Sequence, residues 1–197
     1  MNATTPVPIA ARSAAEQRAH VGRVGVRVFI ASETMFFAAL FFAWYYLSVT
    51  SGAAWPPSGV ARPPIVPAII NTVLTLASAV TIWLAARAIA RDDKRGLLIN
   101  ITLSAIMGVV FMAVQTIEFA QLAALVQASS YSSLFVFILF FHVVRVFVGV
   151  AMMGIVLVRA TLQQFTARRR LLVDATAMYW YFVVAVWLMV FVVLYLR

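Results

Sequence analysis

The sequence contains no cysteine, which excludes disulfides and thiolate-held metals alike. Its two histidines, His20 and His142, cannot form a haem pair or a zinc site alone. The chain is therefore expected to bind no metal or haem of its own. Acidic residues are scarce too, six against fifteen Lys and Arg. A proton or ion path within one span would call for several carboxylates in sequence, and none is so arranged. No internal repeat or matched pair of Gly/Pro-broken segments is seen, and proline inside the apolar runs is confined to Pro67. A free-standing small transporter is thus the weakest reading.

What the sequence has in abundance is apolar surface. Hydrophobic residues make up 64% of the chain, charged residues 11%, and the mean hydropathy is +1.00, outside the range of a water-soluble domain. A helix needs roughly 20 apolar residues to cross a hydrocarbon core of ~30 Å. Five such runs occur, at about residues 26–48, 66–89, 97–126, 132–159 and 177–196. Lipid requires each backbone polar group to be bonded within its segment, and the alternating strands of a barrel are missing, so helices are predicted. The expectation is an all-α membrane protein, a bundle of five transmembrane helices. Residues 1–22 read as an Ala-rich tail, helical in part at most, and 23–197 as a single transmembrane domain. The first apolar run is too long and starts too late for a signal peptide.

A formal net charge of +9 would suggest nucleic acid in a soluble protein, but here the charges stand at helix ends. Arg12, Arg18, Arg23 and Arg27 stand before or at the start of the first run. Arg87, Arg91, Lys94 and Arg95 stand at or between the facing ends of the second and third, and Arg159, Arg168, Arg169 and Arg170 at or between those of the fourth and fifth. The other side has only Arg62 and Arg197. By the positive-inside rule the N-terminus is expected in the cytoplasm and the C-terminus outside. The basic excess then reports contact with anionic lipid headgroups rather than DNA, with Arg87, Arg91 and Arg95 as candidate phosphate ligands.

Away from their ends, the runs hold four ionisable groups, each at a cost of about 2.5–3.5 kcal/mol on insertion scales unless partnered. Glu33 and Arg145 lie at similar depth in the inner half and are placed to pair; Glu118 and His142 are likewise matched in the outer half. Arginine keeps its charge essentially always, so Arg145 needs Glu33, a lipid phosphate or a partner subunit. Asn100, Ser104, Gly108, Gln115 and Glu118 form one stripe of the third helix; Asn71, Thr75 and Ser78 form a shorter one on the second. His142, Arg145 and Gly149 share a face of the fourth. Such seams mainly hold membrane helices together. Aromatic clusters at Trp44-Tyr45-Tyr46, Trp55 and Tyr179-Trp180-Tyr181 read as interfacial anchors, and Trp55-Pro56-Pro57 as a fixed outer turn.

Several fragments, taken in order along the chain, form one set. The first is Val28-Phe29-Ile30-Ala31-Ser32-Glu33-Thr34-Met35-Phe36-Phe37, continuing to Phe41-Phe42-Ala43-Trp44. Trp55-Pro56-Pro57 with Gly59, then Asn71-Thr72 and Leu76-Ala77-Ser78, come next. Gly108, Phe111, Gln115 and Glu118 follow, then Phe141-His142, Val146 and Gly149, and finally Tyr179-Trp180, Phe182 and Trp187. Together they resemble subunit III of the haem-copper terminal oxidases, over roughly residues 26–196. Members commonly have seven helices, a pair and a bundle of five with a lipid-filled cleft between them; this chain resembles a shorter form without the first two.

The resemblance implies a non-catalytic subunit that packs against the catalytic subunit I, alongside subunit II. Haem and copper would sit in those partners, and this chain would bind phospholipid and sustain proton uptake. The implied location is a bacterial plasma membrane. Two departures stand out. Arg145 occupies the place of a usual second histidine, and Tyr179-Trp180-Tyr181-Phe182-Val183-Val184 lacks the family's His and Asp. They leave the electron donor, cytochrome c or quinol, open. An accessory subunit of a nitric oxide reductase, which shares the fold, is the nearer alternative.

Overall fold

A computed structural model describes residues 9–51, 55–57, 63–123 and 129–196. Five α-helices follow one another: α1 (Ile9–Thr50), α2 (Ile65–Ala90), α3 (Lys94–Ala123), α4 (Ser130–Thr161) and α5 (Leu171–Val190), the last continued by a π-helical segment, Phe191–Leu196. Each of the five is long and apolar enough to cross a membrane, and no strand occurs among the described residues. Gly59, Arg62, Arg197 and the outer end expected for the third helix, 124–126, lie outside the described residues.

Helix limits follow local chemistry. Pro64 precedes α2 and Pro67 sits in its first turn, where the missing N–H costs no intrahelical bond. After Ala90 the chain turns through Asp92 at φ 56°, a left-handed conformation that Asp tolerates. Asp93 then caps α3, its Oδ1 accepting from Gly96 N at 2.8 Å. Ser129 caps α4, its Oγ accepting from Ser132 N at 3.2 Å.

Two helices run further than hydropathy alone predicts. α1 begins at Ile9, because the Ala-rich stretch after it has high helix propensity despite its polar residues. α5 begins at Leu171 rather than near 177, its first turn supported by the Arg170–Asp174 ion pair at 3.5 Å.

α5 packs against α1, α2 and α4, while α3 fills the space between α2 and α4. Half of the most apolar window of α5 is buried within the protein, against 6% for α1, so α5 is the axis and α1 the loosest member. The arginine-bearing connections gather at one end. Ala167 N donates to Asp92 Oδ1 at 2.6 Å and Lys94 Nζ to Gln163 Oε1 at 3.2 Å, joining the α2–α3 turn to the α4–α5 loop. Gly22 of α1 lies against Leu171, at the start of α5.

Side chains are distributed as a hydrocarbon solvent dictates. Val28, Met35, Phe42, Val73, Ile106 and Phe147 are all exposed, whereas Asn71, Thr75, Ser78, Ser104, Gln115, Glu118 and His142 are buried. Polar groups facing inward are costly only if unpartnered, and most here are bonded.

Candidate functional site

The site in the half nearer the basic end joins α1 to α4. Arg145 Nε donates to Glu33 Oε2, and Arg145 Nη1 donates to the Phe141 carbonyl at 3.0 Å. The guanidinium carbon lies 4.7 Å from the Phe36 ring centre, 4.9 Å from Phe37 and 5.4 Å from Phe141. Three rings thus surround the cation, each adding an attraction that grows as water is excluded. Tyr179 of α5 donates its hydroxyl to the Arg145 carbonyl at 3.2 Å. The rings that surround Arg145 escaped the sequence reading. Their signal was present, since Phe36 and Phe37 stand one turn after Glu33 and Phe141 one turn before Arg145.

The half away from the basic end differs from expectation. Glu118 does not meet His142. Its two oxygens accept from Gln115 Nε2 at 2.9 Å and from the Tyr195 hydroxyl at 2.6 Å. Asn71 Nδ2 donates in turn to Gln115 Oε1 at 3.2 Å, so the chain Asn71–Gln115–Glu118–Tyr195 crosses from α2 through α3 to the π-helical segment. His142 instead packs its ring against Phe37, Phe111 and Trp187, with centroid separations of 6.4, 5.6 and 5.3 Å. Neither of its nitrogens has a hydrogen-bond partner among the described residues. Depth matched Glu118 and His142; their angular positions separate them. Tyr195→Phe should leave one carboxylate oxygen of Glu118 without its donor, a loss of about 1–3 kcal/mol that thermal unfolding in detergent would show. An unchanged midpoint would remove the network from the stability account.

A third cluster lies at mid-bundle. Ser78 Oγ accepts from Trp180 Nε1 at 2.9 Å and itself bonds the Thr75 carbonyl at 2.7 Å. Thr75 closes on the Asn71 carbonyl, and Thr81 and Ser104 share a hydroxyl bond at 2.6 Å between α2 and α3. Ser104 also reaches the carbonyl of Asn100.

The interfacial reading of the aromatics holds for some and fails for others. Tyr45, Tyr46 and Tyr181 are exposed, but Trp44, Tyr179 and Trp180 are buried. Trp44 meets Trp55 and Tyr131 at 5.2 and 5.1 Å, a three-ring cluster that ties the C-terminal end of α1 to α4. That cluster buries Trp44, whereas Tyr179 and Trp180 are buried because α5 lies at the bundle axis. Arg87, Arg91 and Arg95 are exposed at the basic end, Arg87 stacked 3.8 Å from the Trp83 ring centre.

Comparison with known proteins places these features in a family. The family described as Cytochrome c oxidase subunit III matches residues 14–197. Among individual proteins, "Cytochrome c oxidase subunit 3" of Ornithorhynchus anatinus is 34% identical over 179 residues, covering 88% of this chain and 68% of that protein. Its namesake in Scyliorhinus canicula is 32% identical with the same coverages, and that in Mycosarcoma maydis 31%, over 87% and 64%. On the match across nearly all of its length, the chain belongs to the cytochrome c oxidase subunit III family.

Proposed function

We propose that the chain serves as the non-catalytic subunit III of a bacterial respiratory haem-copper oxidase, which reduces oxygen to water and translocates protons. The single observation that carries this reading is the family match over residues 14–197. The proposed orientation has the N-terminus in the cytoplasm, with the basic end of the bundle at the inner leaflet of the plasma membrane. The partners are the catalytic subunit I and subunit II, which hold haem and copper. Anionic phospholipid lies beside Arg87, Arg91 and Arg95, where guanidinium forks suit phosphate oxygens. The ion pair Glu33–Arg145 supports this role electrostatically, by fixing the loosely held α1 against the bundle.

Purification through a tag on this chain tests the proposal. The expected product contains haem-bearing subunits, shows their visible spectrum and consumes oxygen. A haem-free product, or one that reduces nitric oxide without oxygen uptake, would overturn it; the second result would favour the reductase alternative. Once the partners are stripped away, the chain alone should show no visible absorption and no stoichiometric transition metal, because it lacks the ligands. Elemental analysis of that fraction checks this, and bound haem or copper there would contradict it.

A further inference from the structure

The outward faces of α2 and α5 enclose an open groove of about 440 Å³ lined by Leu76, Ala79, Val80, Trp83 and Tyr181. Four of these five residues lie on α2, at spacings that place them on one face of the helix. Arg87 continues the same face by one more turn and lies over the Trp83 ring at 3.8 Å. The charge therefore stands at the basic end of the groove, while the groove itself is apolar. From Leu76 to Arg87 the helix rises about 16 Å, close to half of a ~30 Å hydrocarbon core.

We propose that this groove is a binding site for one anionic phospholipid, with an acyl chain along Leu76, Ala79, Val80 and Trp83 and its phosphate on Arg87. The site rests on the lipid-binding part of the proposed function and adds a single place and a tail-binding surface to it. Charge complementarity selects the occupant. A transmembrane helix of a partner would fill the groove but leave Arg87 facing it without an anion, whereas a phospholipid satisfies both ends at once. Trp83 serves two purposes. It lines the groove, and its ring holds the guanidinium beside it, so that Arg87 is ordered before lipid arrives. A planar fork then offers paired N–H donors to phosphate oxygens.

The test uses the complex purified through this chain and exchanged into nanodiscs of phosphatidylglycerol mixed with phosphatidylcholine, with retained lipid counted by native mass spectrometry. The wild type is expected to keep one phosphatidylglycerol that resists delipidation. Arg87→Leu should weaken its retention about fivefold, the effect of one basic residue at a membrane surface. Val80→Trp fills the groove from its lipid side, at a residue that is 56% exposed, and should release the same lipid without touching the core. Arg159→Leu, a basic residue at the end of α4, should leave that lipid in place. Equal retention of phosphatidylglycerol by the wild type, Arg87→Leu and Val80→Trp would overturn the site, as would a retained lipid with no preference for the anionic headgroup. Haem content read from the same samples separates this outcome from failure of the oxidase role, which would show as missing partners whatever the lipid count.

Discussion

Arg145→Leu is expected to be the most damaging single change at the α1 interface, lowering stability by about 3 kcal/mol or more. The substitution removes the donor that Glu33 faces and leaves a carboxylate in an apolar layer. It also takes the cation from among Phe36, Phe37 and Phe141, whose rings are placed around it. Because so little of α1 is buried, this link bears on whether the helix stays with the bundle. Glu33→Leu is expected to damage for the mirror reason, leaving the guanidinium, among the described residues, with the Phe141 carbonyl and the rings. Replacing both by leucine should be milder than replacing either, since the cost of a broken buried pair lies mostly in the orphaned charge. Retention of the subunit on heating and oxygen consumption, measured for both single variants and the double, decide the matter. Strictly additive losses would mean that the two side chains act independently.

Depth in the membrane was legible in the sequence because it depends on residue count alone. Five apolar runs gave five spanning helices, and equal distances from the basic end brought Glu33 and Arg145 together before any coordinate did. Equal depth did not bring Glu118 and His142 together. Partners must also share an angular position, and this depends on how the helices rotate and cross. Tyr195, the actual donor to Glu118, lies in the π-helical segment, where the angle advanced per residue differs from that of an α-helix. No periodicity drawn at 3.6 residues per turn would have aimed it there.

The aromatic residues show a second limit. Tyrosine and tryptophan near an expected helix end read as interface anchors, and that reading places Trp180 at the membrane surface. Two errors combined: α5 starts at Leu171, which moves Trp180 deeper, and α5 is enclosed by three other helices. Composition carries no information on which helix is central. The glycines held a clue that went unused, since Gly108 and Gly149 on neighbouring helices leave room for something large between them.

That something is the Trp180 indole, and the second large effect is expected there. A Cβ built on Gly149 would lie 2.6 Å from Trp180 Cε3, and one on Gly108 3.0 Å from Trp180 Cη2. The ring cannot swing clear without giving up the bond from its Nε1 to Ser78 Oγ, so it is held between α2, α3 and α4 at once. Trp180→Ala should cost about 3–5 kcal/mol, through lost burial and the void left among three helices. Gly149→Ala should cost about 1–3 kcal/mol, because the added methyl overlaps a ring with no free direction to move. The two effects must be coupled if this geometry is their cause. In a Trp180→Leu background the methyl at position 149 meets a shorter, flexible side chain, and its cost should largely vanish. Thermal unfolding of the purified complex, followed by size-exclusion of the surviving fraction, gives all four corners of that cycle. An equal penalty for Gly149→Ala in both backgrounds would show that the glycine serves some other purpose than making room for the indole.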